Sequence, residues 1–254
     1  MEPGSLGKKV FFLYPPPVLT EVLQDLTNRE FEVYLARDPE RLKRVLASSP
    51  DSIIFIDLDE GLDDAGWEAY VRSLRATPAT AGIGVGILTL NDDDALREKY
   101  LMDLQVQCGF VILKLGAAKT SEILMKTLEA NEARGRRKFV RAACQPGTGQ
   151  CTIEHEGVTL RAELTDLSSA GMAIRFENGA DFRVGTVFRG ISLAIRGQRV
   201  LASGFVAARR VESGGDVHVV MFDPASLDDA RREKIRSIVG RVNQLAMDRL
   251  LETA

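Results

Sequence analysis

Five basic side chains, Arg134, Arg136, Arg137, Lys138 and Arg141, crowd into eight positions, and 24 residues separate the last of them from Asp166-Leu167-Ser168-Ser169-Ala170-Gly171. A guanidinium is a planar fork of donors. It grips a phosphate through two hydrogen bonds, chelates the O6 and N7 edge of guanine, or stacks on a base, whereas an ammonium offers only a point charge. A carboxylate such as Asp166 accepts from guanine N1 and its exocyclic amine, and the Ser168 hydroxyl and nearby backbone amides can complete the contacts. Charge and spacing alone thus point to an anionic, phosphate-bearing ligand.

Charge is segregated in the same sense. The chain of 254 residues has a formal net charge of -3, but residues 1–130 hold 14 Lys+Arg against 21 Asp+Glu, and residues 131–254 hold 19 against 15. The basic half suits an anionic partner. The cluster lacks an extended basic face or interleaved aromatics, so nucleic acid is not expected. Cys108, Cys144 and Cys151 match no zinc or redox spacing, and His155 and His218 are not clustered with them, so no metal is expected. No Ser/His/Asp or Cys/His set is apparent, and no reaction is assigned to the second half. The apolar runs Val10–Tyr14, Ile53–Ile56 and Ile83–Leu88 are strand-sized, far short of a membrane span. The start of the chain shows no basic stretch leading into an apolar core, so a cytoplasmic location is expected.

The elements that must position these residues fall into two grammars. Over residues 1–130, β-branched runs alternate with amphipathic stretches. Strands are expected at Lys9–Leu13, Glu32–Ala36, Ser52–Asp57, Gly84–Leu90 and Gly109–Leu113. Helices are expected at Leu19–Asn28, Pro39–Ser48, Gly66–Thr77, Asp93–Met102 and Thr120–Ala130, which fits a flavodoxin-like parallel sheet covered on both faces. Residues 131–145 read as a basic linker. Residues 146–254 read as a six-stranded antiparallel barrel, with strands at Gln150–His155, Val158–Thr165, Gly171–Phe176, Thr186–Ile195, Gln198–Arg210 and Asp216–Phe222. A helix capped by Ser226 then runs nearly to the C-terminus.

The pair Arg137-Lys138-Phe139-Val140-Arg141 and the run Asp166 to Gly171 together resemble the PilZ family of cyclic di-GMP receptors, over roughly 120 residues. The resemblance implies that Arg137, Arg141, Asp166, Ser168 and Gly171 form the nucleotide site and that the arginine segment folds over a ligand on the barrel. Arg136, preceding the first motif arginine, is associated in that family with two intercalated ligand molecules; an apolar residue there is associated with one. Cyclic di-GMP is thus expected as a ligand, with no cofactor. Arg209 and Arg210 read as a solvated strand end rather than part of the site.

The first half resembles a receiver domain, with Asp57 at the phosphoacceptor position, Thr89 at the switch position and Lys114 at the lysine position. Where receivers carry an acidic pair after the first strand, this chain reads Leu13-Tyr14-Pro15-Pro16-Pro17, and Leu115 stands where proline usually follows the lysine. The expectation is a degenerate receiver serving as an interaction or dimerisation platform. Asp59, Glu60, Asp63 and Asp64 read as a solvated acidic loop.

On the last helix Ile235, Ile238, Val242 and Leu245, with Val239, Ala246 and Leu250 alongside, form an apolar stripe. It would pack on its own barrel, and its second half is long enough to pair with another chain as a homodimer. The leading expectation is a non-enzymatic effector: cyclic di-GMP binding changes the arrangement of the domains, and an unknown protein partner reads it. The alternatives are a phosphorylation-dependent response regulator with Asp57 as acceptor, and a ligand-free scaffold.

Overall fold

The computed structural model describes residues 7–134, 138–212 and 215–254. The chain divides into two compact units, one comprising residues 1–138 and 244–254 and the other residues 139–243.

In the first unit β1 (Lys9–Leu13), β2 (Glu32–Ala36), β3 (Ser52–Asp57), β4 (Gly84–Thr89) and β5 (Phe110–Ile112) form a parallel sheet in the order β2-β1-β3-β4-β5. Every residue of β3 is buried. This central strand is covered on both faces, which explains the uninterrupted apolar run Ile53 to Ile56. The pleat divides the strands between two cores. Phe11, Leu13, Ile54, Ile56 and Ile87 meet α2 (Pro39–Ala47) and α3 (Asp64–Ala76), whereas Val10, Phe12, Ile53, Phe55 and Leu88 meet α1 (Thr20–Asn28) and α5 (Ala117–Ala130). Carboxylates start three helices: Asp38 accepts from Arg41 N–H, Asp63 from Gly66 N–H, and Asp93 from Ala95 and Leu96 N–H.

The stretch expected as one helix from Asp93 to Met102 is α4 (Asp94–Glu98) followed by a π turn at Lys99–Asp103. The turn accompanies full burial of Tyr100, whose ring tilts on Phe110 at 6.1 Å between centroids. Helix α5 begins three residues before the expected Thr120, after Gly116 at φ 80°, a conformation that glycine adopts without steric cost.

In the second unit β7 (Gly149–His155), β8 (Val158–Ser168), β9 (Gly171–Phe176), β10 (Val187–Ile195), β11 (Gln198–Glu212) and β12 (Gly215–Phe222) run antiparallel in the order β8-β7-β10-β11-β12-β9. The pairing of β9 with β8 closes them into a six-stranded barrel. A seventh strand, β6 (Arg141–Ala143), is added to β8 from within the segment read as linker. Three residues are too short to show alternation, so the sequence does not announce it. The barrel interior is filled by Cys151, Ile153, Ala162, Leu164, Phe188, Ile191, Leu193 and Val206, among others.

Helix α6 (Asp229–Thr253) follows β12. Ser226 does not cap it. The Ser226 hydroxyl accepts from Ser203 N–H, and the cap is Asp228, whose Oδ1 accepts from Arg231 N–H at 2.8 Å. Ile235, Ile238, Val239 and Val242 enter the barrel core. Beyond Gln244 the stripe departs from the expected one. Met247 is buried with Leu251 packed beside it in the α/β core, while Ala246 and Leu250 are exposed. Among the described residues no helix is long and apolar enough to cross a membrane.

Candidate functional site

The antiparallel register of β6 and β8 places Arg141 opposite Ser168 and Ala143 opposite Asp166. The β8–β9 hairpin places Ser168 opposite Gly171, so three of the expected site residues occupy one row across three strands. Arg141 is exposed, Asp166 half-buried and Ser168 buried. A β-bulge between Leu164 and Asp166 interrupts the ladder just before the motif. The Ser168 hydroxyl donates to the Gly171 carbonyl at 3.1 Å, tying the two ends of the hairpin. Ala142, between the exposed Arg141 and Ala143, is fully buried and anchors β6 in the barrel core. Arg136 and Arg137 lie outside the described residues.

Gly171 has a packing reason to be glycine. It is a strand residue opposite Met221 of β12, and its φ is not positive. A Cβ here would overlap the Val220 carbonyl oxygen and lie 3.1 Å from Met221 Cα. β9 and β12 approach too closely for any side chain. The next hydrogen bond along, from Phe222 N–H to the Ala170 carbonyl at 2.9 Å, fastens the hairpin tip to β12.

Two further groups stand near the row. Cys144 follows β6, its N–H donating to the Thr165 carbonyl at 3.0 Å; burial first, and then the Asp166 charge, push its thiol up to about 11. It is a neutral thiol beside the carboxylate. Asn243 of α6 donates from Nδ2 to the Arg141 carbonyl at 3.0 Å. The sequence carried a signal for it, since Asn243 is a polar residue on the apolar stripe, four positions after Val239 and eight after Ile235.

Arg209 and Arg210 are both exposed near the end of β11, and Arg209 also pairs with Asp181 at 2.8 Å and with Asp216 at 2.5 Å. Asp181 also lies 3.2 Å from Nε2 of the fully buried His218, which accepts from Phe182 N–H. The loop between β9 and β10 is held by this network and by the Phe182 ring, which stacks edge-on against Phe188 at 5.1 Å.

In the first unit Asp57 ends β3 and is 1% exposed. Burial, reinforced by the charges of Asp59 and Glu60, raises its pKa to about 6 against the pull of the Asp59 N–H, which it accepts at 3.1 Å. The groups expected around it are engaged elsewhere. The Thr89 hydroxyl donates to Asp59 at 2.7 Å, and Lys114 pairs with Asp92 at 3.3 Å. At the end of β1, Tyr14 takes φ 54°; its ring packs against Gly61, where a Cβ would lie 2.5 Å from the ring, and edge-on to Trp67 at 6.0 Å. An aromatic plug thus stands where receivers place an acidic pair. Among the described residues no group of three or more His, Cys, Asp or Glu converges to hold a metal ion.

Residues 135–241 match the PilZ domain family. No curated protein matches the sequence. Among solved structures, the chain is similar to the PilZ domain with c-di-GMP of YcgR from Escherichia coli, at 16% identity and TM-score 0.38, covering 45% of this chain and 96% of that one. It is similar to YcgR in complex with c-di-GMP from Escherichia coli at 17% identity and TM-score 0.42, covering 47% of this chain and about half, 51%, of that one. It is also similar to a response regulator from Desulfuromonas acetoxidans, at 19% identity and TM-score 0.39, covering 48% of this chain and 98% of that one.

Proposed function

We propose that the chain is a non-enzymatic effector that binds cyclic di-GMP on its PilZ domain and passes the signal to a protein partner. The observation that supports this best is the single row of Arg141, Ser168 and Gly171 across β6, β8 and β9, with Asp166 two residues away on the same strand. A guanidinium and a carboxylate on adjacent strands are suited to a guanine nucleotide: the first takes phosphate or the O6/N7 edge, the second takes the N1 and amine edge. Arg136 and Arg137 complete the anion site from the segment preceding β6, and Arg136 favours two ligand molecules per chain. Residues 131–145 then act as the segment that folds over the ligand, with residues 1–130 as the platform that a partner, or a second copy of this chain, reads. No reaction, metal or nucleic acid enters this reading, and the protein acts in the cytoplasm.

The reading is tested by thermal unfolding with increasing cyclic di-GMP, with GTP and cyclic di-AMP as controls. Ligand at 100 times Kd stabilises by about 2.7 kcal/mol, a shift of several degrees. The expected result is a shift with cyclic di-GMP only, absent in Asp166→Ala; equal shifts with all three nucleotides would contradict it.

A further inference from the structure

We propose that Asn243 is a positioning residue for the cyclic di-GMP site, acting through Arg141. The inference rests on the reading above. Strand β6 lies at the end of its sheet, paired by β8 along one side, and is three residues long. A segment so short is held weakly by its ladder, yet it carries the arginine that must meet the ligand. Two features supplement the ladder: Ala142 sits in the barrel core, and the Asn243 amide donates to the Arg141 carbonyl at 3.0 Å.

Asn243 is well supported for the task. Val242 and Val239, adjacent and one turn earlier on α6, are buried in the same core as Ala142, so the helix face carrying the amide is fixed against the barrel. A carbonyl held at this point fixes where the Arg141 side chain leaves the backbone. Less backbone freedom is then lost when the guanidinium engages a phosphate or a base. The amide of the neighbouring Gln244 is committed to Leu35 and Asp248.

The test uses the full chain and three variants at position 243, with Gln244→Ala as control. Affinity for cyclic di-GMP is measured by isothermal titration, and amide exchange of Arg141 to Ala143 is followed without ligand. Loss of one neutral hydrogen bond predicts an affinity about 3 to 10 times weaker in Asn243→Ala. Asn243→Asp, which removes the donor and adds a charge facing a carbonyl, is weaker still; Asn243→Gln, which keeps the donor, recovers part of the loss. The β6 amides exchange faster in Asn243→Ala while those of β10 and β11 do not, and Gln244→Ala binds as the parent does. Unchanged affinity and unchanged β6 exchange in Asn243→Ala would overturn the proposal, as would an Asn243→Gln variant no better than Asn243→Asp. If the parent chain binds no cyclic di-GMP, the nucleotide reading fails, and β6 exchange alone decides whether Asn243 positions Arg141.

Discussion

The side-chain amide of Gln244 pairs with both backbone polar groups of Leu35, Oε1 accepting its N–H at 2.8 Å and Nε2 donating to its carbonyl at 2.9 Å. β2 is an edge strand of the parallel sheet, and a bare edge leaves backbone groups to water or to another chain. Here one glutamine takes the place of a neighbouring strand at one residue. Its Nε2 also donates to Asp248 Oδ1 one turn on, at 2.7 Å, which fixes the amide plane. Gln244→Ala is expected to destabilise the α/β unit by about 1–2 kcal/mol, the usual effect of removing two partly exposed hydrogen bonds. Trp67, the single tryptophan and fully buried, reports this unit selectively, so urea unfolding followed by its fluorescence checks the value.

Gly171→Ala is expected to disrupt the ligand site and the barrel together. The new Cβ meets the Val220 carbonyl, which is backbone and cannot swing aside, so β9 and β12 must separate. A cost of about 2–4 kcal/mol is expected, as for overpacked positions in well-packed interiors. Circular dichroism during urea unfolding gives the value. Gly204→Ala, where a Cβ would meet the Met221 carbonyl, should behave alike if close strand approach is the cause.

Much of this architecture was legible in the sequence, for identifiable reasons. β1 and β3 fall at their expected residues because buried parallel strands read as nearly unbroken apolar runs, and β2 and β9 also fall at their expected residues. What escaped was set by tertiary context. The three residues of β6 are too few to carry a pattern, and the π turn at Lys99 follows from where Tyr100 must be buried. The Ser226 hydroxyl was drawn to Ser203, leaving the cap to Asp228. In the site, the resemblance to the PilZ family singled out Arg141, Asp166, Ser168 and Gly171. Asn243 stood out only as a polar residue on an apolar stripe, its partner Arg141 emerging once helix and strand were brought together, and the overlap that demands Gly171 lies across a strand 50 residues away.

Asp57 should make the protein less stable as pH rises. Its pKa is raised in the folded state, to about 6 from 3.8, so the protonated form is favoured by folding. The contribution is full below about pH 4 and is lost as pH climbs through about 6. At its upper limit it amounts to about 3 kcal/mol. Asp57→Asn keeps an acceptor for the Asp59 N–H and carries no charge, so it should be more stable than the parent at pH 7.5 and similar to it near pH 4. Urea midpoints by Trp67 fluorescence at the two pH values test this; a variant destabilised at pH 7.5 would contradict it.

Incubation with Mg²⁺ and a small phosphodonor is expected to leave the chain unlabelled. The Asp57 carboxylate is 1% exposed, Thr89 and Lys114 are tied to Asp59 and Asp92, and Tyr14 to Pro17 supply no carboxylate after β1. Phosphoryl transfer to a carboxylate needs access and charge neutralisation, and this arrangement offers little of either. Intact-mass measurement reads the result, and an 80 Da adduct absent from Asp57→Asn would restore the phosphorylation-dependent reading.

Arg137, Arg141, Asp166, Ser168 and Gly171 are proposed to form a cyclic di-GMP site. Isothermal titration of cyclic di-GMP into the parent chain and into Arg137→Ala/Arg141→Ala, with GTP as control, tests it most directly. Saturable binding of two ligands per chain is expected in the parent, none in the double variant and none with GTP. Absence of heat with the parent, or binding that survives loss of both arginines, would contradict it.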